Sequence, residues 1–402
     1  MRSELDLHPP LPAVSPAAAC AIAAIALAVA MGVGRFAFTP LLPLMIRDGA
    51  LDQSAGAWLA ASNYLGYLVG ALTASRLRVS LPAVIRASLA GTVVATAAMG
   101  ALEGVAAWAS LRFVAGVLSA WTLVATSAWV LQHLARAERT DLAGMVYAGV
   151  GLGIAGAGLF CLAAARPGVS AGQLWLELTA LAAVCIVIPD LVLGRPSGTP
   201  VSPVRTLPPA APDRTTGLVI CYGVLGFGYI LPATFLPVLA REVVDNPKLF
   251  GLAWPLFGIA AALSTIATTR YFGRAKRLRV WAVSHVLMST GVVLPSLWLT
   301  SVTIAIAALL VGSTLMVMTM VGMQEARTRA AGNPTALLGS MTAAFAIGQL
   351  AGPVVSALLH FLPGGHSAAL SHTLQLAAFA LALSAAYLWR HARLVASTQE
   401  GP

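Results

Sequence analysis

Charge is what this chain has least of. Of its 402 residues, 9% are Asp, Glu, Lys or Arg, against about 25% in an ordinary soluble domain. The 14 acids avoid the middle of every long apolar run. Cysteine is nearly absent too: Cys20, Cys161, Cys185 and Cys221 stand singly, with no Cys-x-x-Cys and no Cys/His pairing. That excludes a disulfide framework or zinc ribbon and leaves four inert, buried thiols. There is no His-Glu-x-x-His and no close His/Asp grouping, so a membrane-embedded metalloenzyme has nothing to work with. A Gly-rich phosphate loop ending in Lys-Ser/Thr is missing as well, so ATP drive is not encoded. No cofactor and no metal are expected.

What is present is apolar length. Hydrophobic residues make up 58% of the chain and mean hydropathy is +0.85, which describes an all-α polytopic membrane protein. A span needs about 20 mostly apolar residues. Twelve transmembrane helices are expected: 17–46, 53–75, 81–102, 106–134, 141–165, 171–194, 216–240, 248–270, 280–299, 302–324, 334–362 and 367–390. The first apolar run, about 30 residues, exceeds a signal-peptide core and is taken as an uncleaved first span. Residues 195–215 hold six prolines and no apolar run, the composition of an extended linker. Three parts are expected: 1–194, a six-helix half; 195–215, a cytoplasmic Pro-rich linker; and 216–402, a second six-helix half.

The net charge of +10 is explained by topology. Of 24 Lys and Arg, only Arg47, Arg166, Arg241 and Lys248 fall on one side, Arg35, Arg86 and Arg112 lie within spans, and the other 17 share the opposite side. The positive-inside rule then places both termini in the cytoplasm of a bacterial-type inner membrane. Nucleic acid is not needed to account for the basic balance.

Two segments repeat. Gly32-Val33-Gly34-Arg35-Phe36-Ala37-Phe38-Thr39-Pro40-Leu41-Leu42-Pro43 aligns at an offset of 194 with Gly226-Phe227-Gly228-Tyr229-Ile230-Leu231-Pro232-Ala233-Thr234-Phe235-Leu236-Pro237. At that offset Arg76 falls on Arg270, and at 195 Gly144 and Gly153 fall on Gly339 and Gly348. Six spans per half make this a parallel repeat about the membrane normal, a transporter signature.

Two halves, a linker and three local strings resemble the major facilitator superfamily. Arg112-Phe-Val-Ala-Gly116-Val-Leu-Ser-Ala120 is similar to its Arg-x-x-x-Gly-x-x-x-Ala signature; Gly149 to Gly158 and Gly348-Gln-Leu-Ala-Gly352-Pro353 are similar to its glycine-rich helices. Gly70-Ala-Leu-Thr-Ala-Ser75-Arg76-Leu-Arg78 keeps the basic residues of the second loop but lacks its aspartate. The Gly32–Pro43 string with its span 7 counterpart resembles the YbfB/YjiJ-type branch. The resemblance implies a secondary active transporter, not an enzyme, working by alternating access. Its implied partners are a small-molecule substrate and the lipid bilayer; a monomeric chain is expected, and transport with or without protons as coupling ion stays open.

Arg35 is the costliest residue in the chain, since an arginine at mid-helix in a bilayer costs roughly 2.5–3.5 kcal/mol on insertion scales. Two roles are open to it: a cavity-lining cation, or a structural cation bonded to carbonyls freed by Pro40 and Pro43. Arg112 is either a second such cation or a snorkelling helix-end residue. Asn63, Tyr64, Tyr67, Trp121, Tyr147, Tyr229, Thr234 and Gln349 are the further candidate substrate-binding groups, and Tyr229 is the repeat-mate of Arg35. His285 and His372 are weak candidates for carrying a proton, and Glu325 is placed for an ion pair. Arginines without a central acid favour an anionic solute; efflux of neutral or amphipathic drug-like compounds is the alternative.

Overall fold

A computed structural model describes residues 14–164, 166, 168–194, 215–243, 247–330, 334–359 and 365–397. They form twelve helices: α1 (Pro16–Arg47), α2 (Gln53–Ala74), α3 (Leu81–Ala101), α4 (Val105–Arg136), α5 (Ala143–Ala164) and α6 (Ala171–Leu193). The second set is α7 (Thr215–Val243), α8 (Pro247–Phe272), α9 (Arg277–Leu297), α10 (Ser301–Arg329), α11 (Pro334–Leu359) and α12 (Gly365–Ser397). All twelve expected spans are there, the largest difference being the end of α12. Eleven helices are long and apolar enough to cross a membrane; α2 is not among them. Its 22 residues include Ser54, Ser62, Asn63, Tyr64 and Tyr67, and that polarity is put to use below.

Helix starts follow from local chemistry. Ser15 accepts from Ala18 N with Pro16 opening α1, and Asp52 accepts from Ala55 N at 2.7 Å. Ser170 with Gln173 and Thr300 with Thr303 form reciprocal caps on α6 and α10. Each supplies an acceptor to an otherwise orphaned N–H. Ser170 also sits in Gly168-Val169-Ser170-Ala171-Gly172, a Gly-x-Ser-x-Gly string. In hydrolases that string follows a strand; here its serine is spent on the cap, and no strand occurs among the described residues.

Backbone contacts reproduce the repeat. A methyl group added to Gly144 of α5 would meet the Thr265 carbonyl of α8, and one added to Gly339 of α11 would meet the Ala71 carbonyl of α2. Ala71 and Thr265 stand 194 apart in sequence, Gly144 and Gly339 195 apart. Likewise Gly116 of α4 lies against the Asn63 carbonyl, and Gly312 of α10 against that of Phe257. The two sets of six helices are thus related by a pseudo-two-fold axis, meeting through α5 against α8 and α2 against α11. Small residues are needed at these crossings because lipid supplies no hydrophobic drive between helices.

Ion pairs cluster at helix ends. Arg86 joins Asp190 at 2.7 Å, both half exposed, so Arg86 reaches the surface as a helix-end residue does. Buried Glu325 accepts from Arg277 at 3.1 Å and from Arg329 at 2.8 Å, tying α9 to α10. Removing the shared acid leaves two cations facing each other. Glu325→Ala is expected to cost about 1–3 kcal/mol, below the 3–5 of a fully buried pair because Arg277 meets solvent. Thermal melting of the purified variant against Arg86→Ala, expected within about 1 kcal/mol of the parent, measures it.

Candidate functional site

The site is built on a departure in α1. Residues Ala28–Phe36 are wound as π-helix and are buried from Val29 onward. In a π turn the Arg35 carbonyl looks to the nitrogen of residue 40, and that residue is proline, which has no N–H. Arg112 supplies the missing donor. Its Nη1 donates to the Gly34 carbonyl and its Nη2 to the Arg35 carbonyl, both at 3.0 Å, while the guanidinium lies over the Phe38 ring at 4.6 Å. Arg112 is 3% exposed; it does not snorkel. It is Arg112, not Arg35, whose guanidinium donates to carbonyls of this turn.

The α2 helix positions this pair of helices. Asn63 Nδ2 donates to the Arg112 carbonyl at 2.9 Å and Ser62 Oγ to that of Ala109 at 2.7 Å, drawing α2 against α4. One turn on, Tyr67 then faces the Arg35 side chain.

Arg35 itself is 3% exposed. Its guanidinium carbon lies 3.8 Å from the centroid of Tyr67, 5.6 Å from Phe36 and 5.7 Å from Tyr64, within cation–π range. Its Nη2 donates to Gln349 Oε1 of α11, so the cation bridges the two sets of six helices. Nε and Nη1 of Arg35, Nε2 of Gln349 and Oδ1 of Asn63 are buried without a hydrogen-bond partner. Such groups are rare in folded proteins and costly. Among the described residues every ion pair lies at a helix end, and none involves Arg35.

The other candidates disperse. Trp121 donates to Thr73 Oγ1 at 2.9 Å and lines a separate cleft of about 170 Å³ with Ser75, Val79 and Thr335. Tyr147 donates to Ser127 at 2.9 Å, an α5–α4 tie. Tyr229 is buried and stacks on Phe345, centroids 6.2 Å apart and planes 20° from parallel; it joins the Arg35 surroundings through that ring. The side chain of Thr234 lies outside the described residues. His285 sits between the carbonyls of Trp281 and Cys221, at 3.0 and 3.4 Å, and His372 is exposed; neither touches Arg35. Sequence reasoning passed over Phe36, Trp254, Phe257 and Phe345, because an aromatic in an apolar helix looks like packing. Trp254 and Phe257 stack at 5.4 Å and 7°, and Trp254 meets Phe36 at 6.3 Å.

Twelve helices in two pseudo-symmetric sets are the architecture of the major facilitator superfamily (MFS), a transporter class that binds small molecules within the membrane. The family described as "Uncharacterised MFS-type transporter YbfB" matches residues 27–388, and the chain belongs to it. No curated protein matches the sequence. Among solved structures, the chain is similar to the human organic anion transporter MFSD10 (TETRAN), with 16% identity, TM-score 0.71 and coverage of 92% of this chain and 99% of that one. It is also similar to the MFS transporter FucP in the outward conformation, with 12% identity, TM-score 0.71 and coverage of 91% and 97%. At these identities the likeness is one of fold.

Proposed function

We propose that this chain is a secondary active transporter that moves a small organic anion by alternating access, with Arg35 and Gln349 as the anion's ligands. One observation carries the reading: a buried guanidinium with two unpaired N–H groups beside an unpaired amide N–H. Those three donors call for an acceptor-only partner, and an ionised carboxylate is the common biological one. The anion chemistry named for human MFSD10, which shares the fold, is consistent with it.

In this proposal the halves 1–194 and 216–402 rock about the site, joined by 195–215. The Arg-rich face lies in the cytoplasm of a bacterial-type inner membrane, with both termini on that side. Arginine does not titrate in proteins. Coupling to a proton therefore needs a titrating group other than Arg35, on the protein or on the solute.

Uptake of radiolabelled organic acids into proteoliposomes tests the proposal. Arg35→Ala is expected to lower transport at least about tenfold, the loss of one charge-assisted pair. Arg35→Lys should restore part of it, since an ammonium keeps the charge without the fork. Anion transport by Arg35→Ala at the parent rate would remove Arg35 from the mechanism.

A further inference from the structure

We infer that the anion is an aromatic monocarboxylate, its ring seated among the side chains that enclose Arg35. The inference rests on the reading of Arg35 as the anion ligand and narrows it.

The rings around Arg35 form a closed circuit. Tyr67 meets Phe345 at 6.4 Å, Phe345 meets Tyr229 at 6.2 Å, and Tyr229 meets Phe257 at 6.4 Å. Phe257 meets Trp254 at 5.4 Å, and Trp254 meets Phe36 at 6.3 Å. The guanidinium closes the circle, 5.6 Å from Phe36 and 3.8 Å from Tyr67. Aromatics are 7% of this chain, yet six of them, from α1, α2, α7, α8 and α11, share one ring of contacts. Both sets of helices contribute, so a ligand seated there engages both at once.

Three of these rings, Phe36, Tyr67 and Phe345, also wall a small central cavity. Its other lining is Met31, Leu123, Val150, Tyr222, Leu315, Met316 and Thr319, and its free volume is about 10 Å³, so a ligand's ring enters only as these side chains move apart. Among the described residues, Tyr67, Tyr222 and Thr319 bring the only hydroxyls to that surface, too few to satisfy a polyhydroxylated solute. A zwitterion would bring its ammonium beside the Arg35 guanidinium, a like charge in a low-dielectric site, and among the described residues the paired acids lie at helix ends. A second carboxylate would need a second free cation, but Arg112 spends both Nη groups on carbonyls of α1. What remains is one anionic group on an apolar body. Two near-parallel pairs, Tyr229 with Phe345 and Trp254 with Phe257, offer flat walls. A planar ring gains from offset stacking there beyond the area it buries.

The test uses the purified full chain in lipid nanodiscs, with binding followed by tryptophan fluorescence and confirmed by equilibrium dialysis. The probes are 3-phenylpropionate, 3-cyclohexylpropionate, 3-phenylpropionamide and phenylsuccinate. The expected order places 3-phenylpropionate first, roughly 2–12-fold tighter than the cyclohexyl acid, and at least about tenfold tighter than its amide. Phe345→Leu should abolish the phenyl-over-cyclohexyl preference while binding still depends on Arg35. If the cyclohexyl acid binds equally well, the aromatic assignment fails and the anion reading stands. If the amide equals the acid, the anion reading itself fails. Tightest binding of phenylsuccinate, or binding of none of the four, overturns the monocarboxylate.

Discussion

Gly151→Leu should slow transport by an order of magnitude or more while Gly156→Leu, five residues along the same helix, leaves it intact. A Cβ on Gly151 would lie 2.5 Å from the Ala262 nitrogen and 2.5 Å from the Gly258 carbonyl oxygen, both backbone atoms of α8. Backbone cannot rotate aside as a side-chain tip does, so α5 and α8 must separate. Gly156 has nothing within 4 Å of the same position. Overpacking a tight contact costs about 1–3 kcal/mol, and here it falls on the seam where the two sets of six helices meet. Transport is expected to drop about 10- to 100-fold. Helicity by circular dichroism and elution as a single species should be retained, because contacts within each set are untouched. Equal transport by the two variants would mean that the α5–α8 seam does not limit the cycle.

The second large effect is expected at Arg112. Arg112→Met keeps length and apolar packing but removes the donors that Arg112 gives to the Gly34 and Arg35 carbonyls, the latter facing Pro40. Each unsatisfied buried carbonyl costs about 1–3 kcal/mol. The π segment should then rewind and carry Arg35 away from Gln349. Transport is expected to fall about 100-fold, with a lower melting temperature. Arg112→Lys offers a single point of donation and should recover part of both losses. Pro40→Ala returns an N–H to the position toward which the Arg35 carbonyl turns, so the Pro40→Ala/Arg112→Met pair should melt higher than Arg112→Met alone. A melting temperature unchanged by Arg112→Met would show that the π turn stands without it.

Both predictions concern features that the sequence shows only in part. The glycines of α5 are conspicuous as Gly149-Val-Gly151-Leu-Gly153-Ile-Ala-Gly156-Ala-Gly158, but their division of labour is not. Gly149 and Gly153 lie against α1, Gly144, Gly151 and Gly158 against α8, and Gly156 against nothing. Arg112 was visible as a cation in the wrong solvent, while its partners, two carbonyls of another helix, leave no mark in side-chain identity. The cost of burying a guanidinium singled out Arg35, and the structure buries it with two N–H groups unpartnered. The repeat placed Tyr229 opposite it, and the structure interposes Phe345.

Properties that are local along the chain were settled by the residues themselves. Apolar length sets the spans, capping side chains set where helices begin, and the offset of 194 to 195 sets the internal symmetry. The tertiary structure alone decided which side chains meet. Each residue turns about 100° around its helix axis, so a one-residue difference in how two helices cross moves a tyrosine from the centre to a side seam. Tyr147 and Tyr67 have the same chemistry, yet one ties α5 to Ser127 and the other lies over the Arg35 guanidinium. Those crossings follow from where backbones can touch, and that depends on every helix in the bundle at once.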